Sequence, residues 1–217
     1  MQSRLISYAA THPRHEYRPV PSTLLSPTAD ATPAHDRPFK QPPRVLWFTG
    51  LSGAGKSTLA NALEQHLRAD AKPTCTLDGD TLRRGLCRDL GFSAADRTEN
   101  IRRIAEAARL LCDAGLITLV ACISPAQADR DAARSIIGAE RFVEIYLNTS
   151  LATCEHRDVK GLYRQARAGL IKEFTGVSAH YQPPSAADLI LDTGILSVEE
   201  CLAQLLGLVG CSSAAPR

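Results

Sequence analysis

The stretch that decides the fold is Val45-Leu46-Trp47-Phe48-Thr49-Gly50-Leu51-Ser52-Gly53-Ala54-Gly55-Lys56-Ser57-Thr58. Its first four residues are an apolar run, as expected of a strand buried on both faces. Residues 50–57 fit G-x-x-x-x-G-K-[ST] at every place. Thr58 to Arg68 then carries leucines at 59, 63 and 67, the four-residue spacing of a helix. Strand, glycine-rich turn and helix in this order separate a phosphate-binding loop from a chance glycine cluster. Glycines let the backbone wrap closely, so that successive N–H groups face phosphate oxygens. The helix that follows adds its positive N-terminal end. Gly50, Leu51, Ser52, Gly53, Ala54, Gly55, Lys56, Ser57 and Thr58 are therefore the candidate nucleotide-binding residues. Lys56 is expected on the β- and γ-phosphates and Ser57 on the Mg²⁺ that bridges them. The loop thus calls for a nucleoside triphosphate with magnesium.

Outward from the loop, strands and helices alternate. Short apolar runs at Thr74–Leu77, Leu116–Ile123, Phe142–Leu147 and Leu189–Leu191 read as further strands. Helical spacing covers 96–113, 129–137 and 198–208. Alternation of this kind predicts an α/β fold: three layers, a mainly parallel five-stranded sheet and helices on both faces. Ligands of such sheets sit at the carboxyl ends of the strands.

The 217 residues suit one domain plus a tail. Eight of the 13 prolines fall in residues 1–43, which show no sustained period and little apolar content. We expect that stretch to be a disordered, proline-rich extension, residues 44–210 to be the domain, and 211–217 to be a flexible tail. Net charge is +2, too small for the broad basic field of a nonspecific nucleic-acid binder. No apolar run approaches the ~20 residues of a membrane span. A cytoplasmic protein with no nucleic-acid or membrane partner is expected. The seven cysteines are odd in number, show no CxxC pair and lie mostly in apolar runs, as free buried thiols do.

The second strand ends in Asp78-Gly79-Asp80. A carboxylate at a strand tip beside a phosphate loop can take a proton from an attacking hydroxyl or position Mg²⁺. Asp80 is the candidate for both. Residues 83–109 carry seven arginines, a density that points to an anionic acceptor gripped by guanidinium forks. Arg83, beside the strand tip, and Arg97, at a helix start, are the candidate anion ligands. Arg102, Arg103 and Arg109 read as a solvated helix face paired with Asp96, Glu99 or Glu106. Phe92 is placed to stack a base, and Asn100 carries an amide for a directional hydrogen bond.

WFTGLSGAGKST (47–58), LDGDTLRRGL (77–86), DLGFSAADRTENIRR (89–103), ISP (123–125), RDVKGLYRQARAG (157–169) and FTG (174–176) together resemble the adenylylsulfate kinase family. The resemblance runs from about Val45 to Leu208 and follows the family's order. It implies a P-loop kinase fold with a mobile lid. It also implies transfer of the γ-phosphoryl of ATP to the 3′-hydroxyl of adenosine 5′-phosphosulfate. Arg83, Phe92, Arg97 and Asn100 match its acceptor-binding positions, and Ile123 and Ser124 match the Ile-Ser of its ISP motif; with Asp78 and Asp80 at the strand tip they are the candidate acceptor-site residues. The serine of the ISP motif has been described as a phosphoserine intermediate; the chemistry of the loop favours direct in-line transfer instead. Ser124 is therefore expected to hydrogen-bond in the acceptor site, and it stands with Lys56, Asp80 and Lys160 among the candidate catalytic residues.

The resemblance places the lid at about 155–176, with Arg157 over the ATP adenine, Lys160 near the transferring phosphate, and Lys172 and Phe174 toward the acceptor. Departures concentrate here: Val159 for proline, Leu170 for glutamate, Glu173 before Phe174, and Gln182 for the glutamate of a YEAP run. Cys87 takes a usual asparagine position. A homodimer and association with ATP sulfurylase are further family-based expectations. Two alternatives stand beside the kinase reading: a P-loop kinase for another small hydroxylated acceptor, and a nucleotide-binding homologue with weakened catalysis and a regulatory or scaffolding role.

Overall fold

The computed structural model describes residues 43–210. The expected extension up to residue 42, the tail 211–217 and Cys211 lie outside the described residues. Five strands, β1 (Val45–Thr49), β2 (Thr74–Asp78), β3 (Ile117–Ala121), β4 (Phe142–Leu147) and β5 (Leu189–Leu191), form one sheet in the order β2-β3-β1-β4-β5. All four pairings are parallel. The chain runs from central β1 to one side of the sheet for β2 and β3, then crosses to the other side for β4. This reversal beside β1 makes the crevice at its carboxyl end the natural ligand site.

Alternation along β1 shows how the sheet divides the core. Leu46 and Phe48 enter the layer under helices α1 (Lys56–Ala69) and α7 (Val198–Leu208). Val45 and Trp47 enter the layer under α3 (Ala94–Asp113) and α4 (Gln127–Ile137). Both faces are covered, which is why β1 and β3 read as continuous apolar runs.

The helix boundaries differ from the periodicity by a few residues, for local reasons. α1 starts at Lys56 because Gly55, at φ 94°, turns the chain directly into it. α3 starts at Ala94, where the Ser93 side chain accepts from the Asp96 N–H. β3 stops at Ala121, short of the expected Ile123, because the chain leaves the sheet toward Ser124 at φ 41°. Three short helices lie outside the periodicity: α2 (Gly79–Arg83), α5 (Leu151–Arg157) and α6 (Leu162–Arg167). Five of the six described cysteines are buried and all six are free, as expected. Among the described residues no helix is long and apolar enough to cross a membrane.

One charge is sealed inside. Arg130 on α4 is 1% exposed and lies 2.7 Å from Glu144 of β4. The contact is ionic rather than a well-aligned hydrogen bond. Arg130 also donates to the Ser124 and Gln182 carbonyls, at 2.7 and 2.8 Å. Removing one partner of such a pair leaves the other buried and uncompensated. Glu144→Ala is therefore expected to cost about 3–5 kcal/mol of stability, measured by urea unfolding; a loss under about 1 kcal/mol would contradict this account.

Candidate active site

The loops after β1, β2 and β3 converge on one cavity of about 1220 Å³. That is above the ~300–1,000 Å³ typical of a single-ligand pocket, which leaves room for more than one small ligand.

The phosphate loop forms its floor. Gly50 is held against β4: a Cβ there would meet the Leu147 carbonyl oxygen at 2.8 Å. Gly53 is held against α5, where a Cβ would lie 2.9 Å from the Cys154 carbonyl oxygen. Both have positive φ, so only glycine fits without strain. Ser52, Gly53, Gly55, Lys56, Ser57 and Thr58 line the cavity. Gly50, Leu51 and Ala54, named with them from sequence, do not. Their carbonyls turn inward: Lys56 Nζ donates to those of Gly50 (2.9 Å) and Leu51 (2.7 Å), and Thr193 Oγ1 donates to that of Ala54 (2.9 Å).

Lys56 is buried at the start of α1. Burial is the main force on its ammonium and lowers its pKa to about 8. Ser57 Oγ donates to Asp78 Oδ2 at 2.6 Å. The other oxygen of Asp78 caps α2, accepting from the Asp80 and Thr81 N–H groups. The carboxylate against Ser57 is thus that of Asp78, whereas Asp80, the expected metal partner, forms an ion pair with Lys160 of the lid. Ser57, Asp78 and Asp80 offer hard oxygen donors. Mg²⁺ characteristically takes one or two carboxylates beside phosphate oxygens and water, so this set fits it without a cage of protein ligands.

The acceptor wall is built from α3 and the segment before it. Phe92 is 60% exposed on the cavity. The Arg83 guanidinium lies 4.4 Å from its ring centroid and that of Arg97 lies 5.8 Å away. Arg97 donates to the Phe92, Thr175 and Glu173 oxygens. Burial, reinforced by the Arg83 charge, lowers the Arg97 pKa, so an anion here relieves both. Asn100 lines the same wall and is 5% exposed; its Oδ1 has no hydrogen-bond partner among the described residues. A buried amide oxygen without a donor costs roughly 1–3 kcal/mol, which a ligand hydroxyl or amine would recover. Ile123 lines the cavity beside it.

Ser124 corrects an expectation. It borders the cavity yet is 1% exposed, and its hydroxyl is used inside the protein. Ser124 Oγ donates to Thr49 Oγ1 (3.0 Å) and accepts from Trp47 Nε1 (3.1 Å). Thr49 donates in turn to the Ile123 carbonyl at 2.7 Å. The Ser124 hydroxyl therefore anchors the β3–α4 loop rather than facing a reacting phosphate.

The lid segment closes the cavity. Asp158 caps α6 by accepting from the Tyr163 and Arg164 N–H groups, which presents Lys160 toward Asp80. Tyr163 packs edge-on against Phe174 and donates to the Ser52 carbonyl, seating the lid on the phosphate loop. Phe174 and Lys172 line the cavity, as does Val159. Glu173 does not line it: at φ 54° its backbone carbonyl serves Arg97 while its side chain is exposed. Gln182, another departure, accepts from the Gln127 N–H and caps α4, which lacks a side-chain cap of its own. Arg157 borders the cavity and donates to Thr193 and to the Gly53 carbonyl. Thr193, in the loop after β5, is not marked in the sequence because it belongs to no motif and sits 139 residues from Ala54, the loop residue it serves.

A glycine-rich phosphate loop with its lysine, a strand-tip carboxylate pair and a cationic lid over a cavity with room for more than one small ligand define a P-loop phosphotransferase. The comparisons narrow this. The model of the family described as adenylylsulphate kinase matches residues 42–192, so the chain belongs to the adenylylsulfate kinase family of ATP-dependent kinases. The adenylyl-sulfate kinase of Vibrio cholerae is 56% identical over 167 residues, 77% of this chain and 78% of that protein. That of Pseudomonas aeruginosa is 56% identical over 154 residues, 71% and 79% of the two chains. A Mycobacterium tuberculosis APS kinase solved in complex with AMPPNP and APS is 44% identical, with a TM-score of 0.75 over 78% of this chain and 99% of that one.

A lysine with a pKa near 8 holds its charge below that pH and loses it above. ATP affinity is therefore expected to fall as pH rises through about 8 to 10, measured as Kd by calorimetry. A Kd independent of pH over that range would place Lys56 away from the phosphates.

Proposed function

We propose that the protein transfers the γ-phosphoryl of Mg-ATP to the ribose 3′-hydroxyl of adenosine 5′-phosphosulfate, giving 3′-phosphoadenosine 5′-phosphosulfate and ADP. The bond from the γ-phosphorus to the β–γ bridging oxygen breaks, a bond to the 3′-oxygen forms, and the hydroxyl proton leaves to a carboxylate. The observation that carries this reading is the wall opposite the phosphate loop. An aromatic face, two guanidinium groups and the unpartnered Asn100 oxygen suit a purine nucleotide with an anionic 5′ group.

Each role rests on a placement. Lys56 and the loop N–H groups hold the phosphates. Asp80 takes the hydroxyl proton, and its pairing with Lys160 holds the carboxylate in place. Lys160 comes from the lid to the same point and stabilises charge on the transferring group. Mg²⁺, when bound by Ser57 with the Asp78–Asp80 carboxylates, supplies neutralisation of the phosphate oxygens. Arg83, Phe92, Arg97 and Asn100 orient the acceptor, with Ile123, Lys172 and Phe174 shaping its pocket. Catalysis here is positioning and charge stabilisation, the terms that dominate phosphoryl transfer.

The purified protein, incubated with Mg-ATP and adenosine 5′-phosphosulfate, is expected to form the 3′-phosphorylated product, followed by chromatography. ATP binding without product would support a weakened nucleotide-binding homologue. Arg97→Ala is expected to raise the KM for the sulfated acceptor at least about tenfold, the scale of one lost charge-assisted contact. The KM for ATP should stay within about twofold; equal effects on both would remove Arg97 from the acceptor site.

A further inference from the structure

Thr193 carries no chemistry in the reading above, yet four separate parts of the nucleotide side meet at its hydroxyl. The Ala54 carbonyl of the phosphate loop lies 2.9 Å from Thr193 Oγ1. Thr149 Oγ1, in the loop after β4, lies at 2.9 Å. Arg157 Nη1, at the end of α5, also lies at 2.9 Å. Thr193 itself follows β5. Its side chain stands close over the start of α1: a Cβ at Gly55 would lie 3.6 Å from both Thr193 Cγ2 and Oγ1.

A hydroxyl has one hydrogen and two lone pairs, and these three partners use all of them in a single arrangement. A carbonyl only accepts, so the Thr193 hydrogen goes to Ala54. A guanidinium only donates, so one lone pair takes Arg157. The remaining lone pair takes the Thr149 hydroxyl hydrogen. Arg157 is fixed further by Nη2, which donates to the Thr193 carbonyl at 2.5 Å, and by Nη1, which reaches the Gly53 carbonyl at 3.2 Å.

We propose that Thr193 is a positioning residue for the ATP half of the site, holding the lid-side Arg157 and the phosphate loop in one register through its saturated hydroxyl. Arg157 and Thr193 both border the cavity, and both reach carbonyls of the phosphate loop. Arg157 is otherwise an exposed, long side chain that would lose rotamer freedom on meeting a ligand. Thr193 orders it beforehand, so the cost is met in folding rather than in binding. The same hydroxyl holds the loop carbonyl at Ala54 inward, which leaves the opposite side of the loop to face phosphate. The proposal takes ATP as the nucleotide and does not depend on which acceptor is used.

The test reads ATP affinity directly, by calorimetric titration of the full chain with Mg-ATP, so that it stands apart from the acceptor assignment. Thr193→Val keeps the shape and removes the hydroxyl; Thr193→Ser keeps the hydroxyl. The valine variant is expected to raise the Kd for ATP roughly tenfold, the scale of losing a hydrogen bond to a charged group. The serine variant should stay within about twofold of the parent. The KM for adenosine 5′-phosphosulfate should be unchanged in both. Unchanged ATP affinity in the valine variant would overturn the proposal. So would equal losses toward ATP and acceptor together with a drop in melting temperature, which would mark a purely structural threonine. Arg157→Leu supplies an independent arm that keeps Thr193 intact. Its effect and that of Thr193→Val should overlap, leaving the double variant well short of the product of the two. Fully multiplicative effects would show that the two residues act separately, against the proposal.

Discussion

The constraint on which the rest depends is a buried cation at the wrong end of a helix. Lys56 opens α1, where the helix dipole is already positive, and burial strips water from its ammonium. Two loop carbonyls, Gly50 and Leu51, offset part of this. They can reach it only because the loop doubles back on itself, and the loop doubles back only where glycines pass within contact distance of β4 and α5. The arrangement is costly for the fold and suited to a phosphate, since a polyanion meets the ammonium, the helix end and the free N–H groups together.

The other half of the site is assembled across long separations. α3 supplies Arg97 and Asn100, and the lid supplies Lys160 and Phe174. The β3–α4 loop is held from below by Trp47, Thr49 and Arg130. These supports are polar and deeply buried, so their geometry is specified by hydrogen bonds rather than by packing alone. Arg130 shows how far this goes: one buried guanidinium is shared between Glu144, the Ser124 carbonyl and Gln182. It joins the sheet, the acceptor loop and the chain returning from the lid.

Much of this was legible in the sequence because it follows short-range rules. The apolar run before Gly50 and the leucine spacing after Ser57 announce a strand and a helix, and the five strands fall where the runs predicted. The phosphate loop and the Arg83–Asn100 wall read from local pattern and family likeness. What was not legible depends on partners distant in the chain. Nothing near Ser124 says that its hydroxyl is taken by Trp47 and Thr49, 77 and 75 residues away. Nothing in Asp78-Gly79-Asp80 says which carboxylate meets Ser57 and which meets Lys160. α2, α5 and α6 are too short for a period and form because Asp78, Ser150 and Asp158 cap them.

The departures from the family pattern acquire a physical meaning by the same logic. Glu173 adds a carboxylate near the anion site; its side chain lies outside the cavity, its carbonyl accepts from Arg97, and its charge favours the Arg97 guanidinium. Gln182, which stands where the YEAP run has glutamate, accepts from the Gln127 N–H and so caps α4 with a neutral side chain. Val159, 86% exposed, is the one that changes the cavity surface itself. It sits between Asp158, which caps α6, and Lys160, which reaches Asp80. Proline at that place would fix φ and restrict the residue before it; valine leaves the lysine's approach to be set by the Asp158 cap and the Asp80 ion pair. In this chain, the approach of the lid cation therefore rests on the Asp158 cap and the Asp80 ion pair rather than on a proline-fixed backbone.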